Sequence, residues 1–128
     1  MKDFFCLLLL FVSISFVHGQ RSSDPDVESK IQFLYELRDS AKYEQLRQVA
    51  DSFMNHFTFD CTQSGRINRI VALSYSTQSQ YKNAIKHHEN HVLPYWVDCS
   101  ELEGWYFIKI HLDLAENYMI LKNRRLLV

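Results

Sequence analysis

The segment 87–91, His-His-Glu-Asn-His, is the densest cluster of potential metal ligands and proton-transfer groups in this 128-residue chain. The helical zinc-protease motif, His-Glu-x-x-His, places two histidines one helical turn apart on one face, with the glutamate free to act as a base. In this chain the next histidine follows the His-Glu pair one residue too early. The segment therefore lacks the zinc-protease motif.

Two interpretations of these histidines stay open. His87 and His91 are spaced four residues apart and could share a metal ion, with His111 or Glu89 as a third ligand. Alternatively, His87 lies on a solvated helix face, and His88 and His91 line a seam between packed helices. Because two imidazoles without a clear third ligand form a weak site, we expect no metal and no other cofactor.

The first nineteen residues have the composition of a secretory signal peptide. Lys2 precedes an apolar run at 4–17 that only two serines interrupt, and a Val-His-Gly tripeptide follows at 17–19. The run is shorter than the roughly 20 residues that span a bilayer. We therefore predict cleavage before Gln20, a single helical domain over 20–128, secretion, and no membrane contact once the signal is removed.

Cys61 and Cys99 remain after removal of the signal, which contains Cys6. In the oxidising environment of secreted proteins, two such cysteines are expected to form a disulfide. Neither belongs to a Cys-x-x-Cys motif, so a structural bond is favoured over redox or nucleophilic chemistry. Closing a loop of 38 residues would stabilise the fold by about 4 kcal/mol in the chain-entropy model.

No pattern in the chain indicates catalysis. It contains no nucleophile elbow and no glycine-rich phosphate loop. Asp60 and Asp98 could form a glycosidase carboxylate pair, but both are better explained as helix caps. The net charge of −1 and the absence of a dense basic run argue against a nucleic-acid partner. We expect a protein that is not an enzyme.

Apolar residues recur at helical spacing through the mature chain, and few glycines or prolines interrupt them. This pattern predicts five helices, with Pro94 ending the fourth: 25–41, 43–57, 62–78, 80–93 and 100–123. We therefore expect an all-α fold, built from two stacked helical hairpins and a C-terminal capping helix.

Part of the sequence repeats after 38 residues. The segment 57–63, Phe-Thr-Phe-Asp-Cys-Thr-Gln, returns at 95–101 as Tyr-Trp-Val-Asp-Cys-Ser-Glu, and Tyr43 returns as Tyr81. An aspartate followed three residues later by Gln or Glu has the spacing of a capping box. The repeat therefore predicts that each cysteine lies in the first turn of a helix and at the same end of the stack.

Aromatic, small and aliphatic residues occupy matched positions in the two hairpins, with leucine at 34 and 46 where the second hairpin has alanine. They are Phe33, Leu34, Leu37, Ala41, Tyr43 and Leu46 in the first hairpin, and Val71, Ala72, Tyr75, Ser79, Tyr81 and Ala84 in the second. With these spacings, residues 27–98 resemble tetratricopeptide repeats, a family in which such side chains let paired helices cross closely. The resemblance implies a short helical solenoid.

Tetratricopeptide proteins bind peptides along a concave face formed by the first helix of each hairpin. The resemblance implies that this face carries seven residues: Tyr35, Arg38, Arg66, Arg69, Leu73, Lys109 and Glu116. The four basic residues among them could bind a carboxylate or an acidic peptide. An ordinary solvated surface would carry similar charges, and the spacing does not separate the two interpretations.

These patterns together predict a secreted, non-enzymatic module that binds a protein or peptide, including acidic ones. The nearest alternative is a secreted helical-bundle signalling protein, hormone-like or cytokine-like, which would contact its receptor through an outer helix surface. A carrier of small apolar ligands is a third alternative, because the interior is rich in aromatic residues.

Overall fold

The computed structural model of the chain describes residues 25–99 and 104–126, and within these ranges the regular elements are all helical. They are α1 (Pro25–Asp39), α2 (Tyr43–His56), α3 (Cys61–Thr77), α4 (Tyr81–His87), a π-helical turn (His88–Val92), α5 (Leu93–Asp98) and α6 (Gly104–Leu126). This confirms the all-α prediction. The proposed signal, 1–19, lies outside the described residues. No helix within the described ranges is long and apolar enough to cross a bilayer.

Helix α3 lies at the centre of the fold and contributes to two apolar clusters. It packs against α1 and α2 on one side, and against α4, the π-helical turn, α5 and α6 on the other. The first cluster contains Val27, Ile31, Leu34, Leu37, Leu46, Ala50, Ile67, Ile70 and Val71. The second contains Ala72, Val92, Trp96 and Ile110. Burial of α3 on both sides explains why its sequence shows a broad apolar face.

The turns that end α1 and α3 have the same backbone geometry. Ala41 and Ser79 are the two non-glycine residues with positive φ in the described ranges, at 56° and 60°. The next residue in each turn donates its backbone N–H to a helix carbonyl at 2.9 Å, from Lys42 to Leu37 and from Gln80 to Tyr75. This left-handed termination ends α1 at Asp39, two residues before the predicted boundary.

The predicted capping box at the start of α3 is confirmed. The Asp60 carboxylate accepts the backbone N–H of Gln63 at 2.7 Å, and the Gln63 side-chain carbonyl accepts the backbone N–H of Asp60 at 3.0 Å. Two donors that the helix itself leaves unpaired are thereby satisfied. The equivalent capping box at Asp98 would include Glu101, which lies outside the described residues.

The prediction that Pro94 ends the fourth helix is wrong. Helix α4 passes through the π-helical turn into α5, which holds Pro94 in its first turn and continues to Asp98. Proline lacks an N–H group, and its ring clashes with the carbonyl four residues earlier in a regular α-helix. A wider π-type turn, closed by the bond from Leu93 N–H to the His88 carbonyl, accommodates this local conflict.

The predicted disulfide between Cys61 and Cys99 is present, with a Cα–Cα distance of 5.9 Å. Cys61 is the first residue of α3, as the repeat predicts. Cys99 instead follows the last residue of α5, because the helix before it runs past Pro94. The bond therefore joins the start of the central helix to the end of α5.

Candidate functional site

Three of the seven residues predicted to face a ligand lie where α1 meets α3. Arg66 on α3 donates to the Glu28 carboxylate on α1 at 2.9 Å, and Tyr35 also interacts with this guanidinium. Arg38 pairs with its neighbour Asp39 at 2.8 Å, while its guanidinium lies over the Tyr35 ring at 4.8 Å from the centroid. The structure therefore brings Tyr35, Arg38 and Arg66 together at one junction.

Arg69 lies on the next turn of α3 but points toward α6. Its guanidinium donates to the Asp113 carboxylate at 2.7 and 2.8 Å, and the two side chains are only 15% and 16% exposed. An ion pair so enclosed is held more tightly than a surface pair, because removing either charge would leave the other poorly solvated. Arg69 is thus a structural link between α3 and α6 as well as a predicted ligand contact.

A shallow pocket of about 230 Å³ lies between α3 and α6, beyond this ion pair. Leu73 and Glu116, two further predicted residues, line it. Partly buried polar groups also line it: the Ser76 hydroxyl donates to the Asn117 side-chain carbonyl, and the Asn117 amide donates to the Asp113 backbone carbonyl, both at 2.7 Å. The last predicted residue, Lys109, lies exposed on α6. The predicted set therefore spans two junctions of α3.

Asp113 and Asn117 are the site residues that sequence reasoning did not identify. Asn117 is buried and Asp113 is half-buried, and both lie on the side of α6 that packs against the core. The apolar spacing of α6 gave no signal for them, because its apolar residues at 108, 112 and 119 lie on the exposed side. Their partners, Arg69 and Ser76, depend on the crossing of two helices more than 40 residues apart, which the sequence pattern does not specify.

The histidines differ in burial, and the packing-seam interpretation is confirmed only for His88. His88 is fully buried, and within the described residues neither of its ring nitrogens has a hydrogen-bond partner. His87 is half-buried and lies 3.1 Å from the Asn68 side-chain carbonyl, whereas His91 is exposed. The interpretation that placed His87 in solvent and His91 in a packing seam is therefore wrong for both residues.

Burial controls the charge state of the two inner histidines. It lowers the pKa of His87 to about 4, with the neighbouring His91 and His88 adding to the effect. Burial also lowers the pKa of His88, while Asp113 raises it and Arg69 lowers it further. Both imidazoles are therefore neutral at pH 7. The described residues contain no group of three or more His, Cys, Asp or Glu side chains arranged to hold a metal ion.

Comparison with known proteins gives no family for this chain. No protein-family model, no curated protein and no solved structure matches it.

Proposed function

We propose that this chain is a secreted, non-enzymatic module that binds a protein or peptide along the face shared by α1, α3 and α6. The observation that carries the proposal is the position of α3 between the other two helices. Tyr35 and Arg66 lie at one of its junctions, and Leu73 and Glu116 line the pocket at the other. The two junctions thus offer both apolar and charged groups to a bound peptide.

The matching turns support a tandem arrangement of hairpins. Ala41 and Ser79 are separated by the same 38 residues as the disulfide cysteines, and each follows the first helix of a hairpin. In this arrangement α1 and α3 are equivalent first helices, and α6 takes the third such position. Equivalent helices that pack side by side form a continuous surface, which suits an extended ligand.

The ion pairs determine which arginines can reach a ligand. The Arg66–Glu28 and Arg38–Asp39 pairs are partly exposed, and such pairs contribute no more than about 1 kcal/mol. A ligand carboxylate can therefore replace Glu28 or Asp39 at little cost. Arg69 is held by Asp113 in a more enclosed pair. The preferred ligand is accordingly a segment with acidic side chains near α1 and an apolar side chain near Leu73.

Secretion is supported by two independent features. The N-terminal segment has signal-peptide composition, and the described residues contain a disulfide, a bond that persists in oxidising compartments. The intact mass of protein secreted by a eukaryotic host tests this part of the proposal. We expect a chain starting at Gln20 whose thiols become alkylated only after reduction. A retained 1–19 segment or freely alkylated thiols would contradict it.

Peptide selection tests the binding function. The oxidised protein is used to select ligands from a randomised library, and affinities are then measured for wild type and the Arg38→Glu/Arg66→Glu variant. We expect enrichment of acidic peptides and at least tenfold weaker binding by this variant. The Lys42→Glu/Lys82→Glu variant is the matched control, because it makes the same charge change at exposed positions of other elements. Equal losses in both variants, or no enrichment, would contradict the proposal.

A further inference from the structure

Helix α6 carries exposed apolar side chains on the side that faces away from the core. Among the side chains of α6 that the structure describes, Ile110 and Asn117 are buried. About half a turn around the helix from them lie Ile108, Leu112 and Met119, which are 59%, 62% and 63% exposed. The outward side of α6 thus carries several large, exposed apolar side chains, while the inward side includes the polar residues Asn117 and Asp113. Solvation alone does not account for this distribution.

The spacing of these residues has the form of a coiled-coil seam. Positions 108, 112, 115 and 119 are separated by four, three and four residues, as in a heptad repeat with apolar a and d positions. Ala115 completes the set and is also exposed. Its small side chain at the middle of the seam would let a second helix approach closely.

We propose that this seam, formed by Ile108, Leu112, Ala115 and Met119, binds the same seam of a second copy of the chain. The two α6 helices would run antiparallel around a two-fold axis near the middle of the seam. Ile108 of each copy would then pack against Met119 of the other, and Leu112 against Ala115. The two-fold axis repeats each of these contacts, so that the same seam residues of both copies form one interface.

Charge complementarity favours a second copy in this orientation. Lys109 and Glu116 border the seam on the same side and occupy equivalent heptad positions, seven residues apart. In an antiparallel pair, such positions of the two helices face each other across the seam. Lys109 of each copy would therefore lie beside Glu116 of the other, so that two favourable charge pairs flank one interface.

The seam covers about three helical turns, so its area is small compared with stable dimer interfaces. We therefore expect a dissociation constant on the order of 1–100 µM. The inference does not depend on the proposed ligand face. Lys109 and Glu116 border both surfaces, but dimerisation is measured without any ligand, so failure of one proposal leaves the other intact.

Sedimentation equilibrium of the oxidised secreted protein, from 1 to 300 µM, tests the inference. Wild type should dimerise reversibly, and Leu112→Glu/Met119→Glu should weaken dimerisation at least thirtyfold. Val97→Glu, at a 73% exposed position on α5, should dimerise like wild type. Lys109→Glu and Glu116→Lys should each weaken the dimer, and their combination should restore it, since the two charges exchange places.

Three outcomes would overturn the inference. One is a dimer that Leu112→Glu/Met119→Glu leaves unchanged. Another is a monomer at 300 µM whose thermal stability falls in this variant, which would mean that another segment of the same chain covers the seam. The third is a monomer of unchanged stability, which would leave the seam to a different protein.

Discussion

Arg66 and Glu28 form an ion pair between α3 and α1, and the 38 residues that separate them equal the separation of Cys61 and Cys99. The ion pair and the disulfide thus each join two residues that are 38 positions apart, which is the period of the sequence repeat. The ion pair lies partly in solvent at the proposed ligand face, while the disulfide fixes the start of α3 to the end of α5. The same period therefore recurs in an ion pair at the proposed ligand face and in the disulfide.

The two interhelical ion pairs should differ in their contribution to stability. Glu28→Gln breaks a partly exposed pair and should change the free energy of unfolding by less than about 1 kcal/mol. Asp113→Asn leaves the enclosed Arg69 guanidinium without its counter-ion and should cost about 2–3 kcal/mol. Urea unfolding monitored by circular dichroism measures both variants. Similar costs for the two would show that the Arg69–Asp113 pair is as well solvated as the surface pair.

Gly65 lets the Trp96 ring approach α3, and its replacement should destabilise the fold. A Cβ atom at position 65 would lie 3.0 Å from Trp96 Cε2, and this ring is buried and stacks on Tyr106. Overpacking costs about 1–3 kcal/mol, and the better helix propensity of alanine offsets up to about 1 kcal/mol of this cost. We therefore expect Gly65→Ala to lose about 1–2 kcal/mol in chemical denaturation.

Gly104→Ala is the matched control, because no atom lies within 4 Å of a Cβ placed there. It should change the stability by less than about 0.5 kcal/mol. If Gly65→Ala were as stable as this control, the Trp96 contact would not limit the approach of α3 and α5.

Acid should weaken the fold through the inner histidines. Burial, with His91 and His88 nearby, lowers the pKa of His87 to about 4, and burial also lowers the pKa of His88. The unfolded chain, with a histidine pKa near 6.5, then binds more protons than the folded one. Stability is therefore full above pH 6.5 and falls as the pH drops toward 4, by at most about 1.4 kcal/mol per pH unit for each histidine.

Replacing His88, whose imidazole is fully buried, shows how much of the loss of stability in acid comes from this residue. His88→Leu should lose less stability between pH 7 and pH 5 than wild type, whereas His56→Gln, at an exposed position, should follow the wild-type profile. Denaturant midpoints at half-unit pH intervals provide the comparison. Superimposable profiles for His88→Leu and wild type would mean that His88 does not titrate differently on folding.

Glycine should be the better residue at the two left-handed turns. Ala41 and Ser79 hold φ values of 56° and 60°, where a Cβ atom is unfavourable. Ala41→Gly and Ser79→Gly should each raise the melting temperature and stabilise the fold by about 0.5–1 kcal/mol, even after the entropic cost of glycine. Gln45→Gly, inside α2 and exposed, should instead lose about 1 kcal/mol. Destabilisation at both turns would contradict the assigned backbone conformation.

Local sequence patterns were sufficient to predict most of the helices. The Asp60–Gln63 box and the paired cysteines were predictable, because each depends on a few neighbouring residues or on the oxidising compartment. The continuation past Pro94 was not, since it depends on a π-helical turn stabilised by the packing of His88 and Val92. Pro94 lies in the first turn of α5, where the N–H group that proline lacks would have no partner within the helix.

For the candidate site, the sequence predicted only which helices carry its residues. Spacing indicated which residues share a side of α1, α3 or α6, but not how closely those helices cross. The crossing brings Asp113 to Arg69 and encloses their charges. Arg66 and Arg69, three residues apart and similar in sequence context, therefore have different surroundings: the Arg66–Glu28 pair is partly exposed, and the Arg69–Asp113 pair is enclosed between α3 and α6.

The proposed ligand face is tested most directly by an NMR titration. Uniformly ¹⁵N-labelled, oxidised protein is titrated with a peptide obtained by the selection described above, and amide shift changes are mapped by residue. We expect saturable changes concentrated on α1, α3 and α6, including Tyr35, Arg66 and Leu73, with little change at Val97 or His91. Changes centred on α2, α4 or α5 would contradict the proposed ligand face.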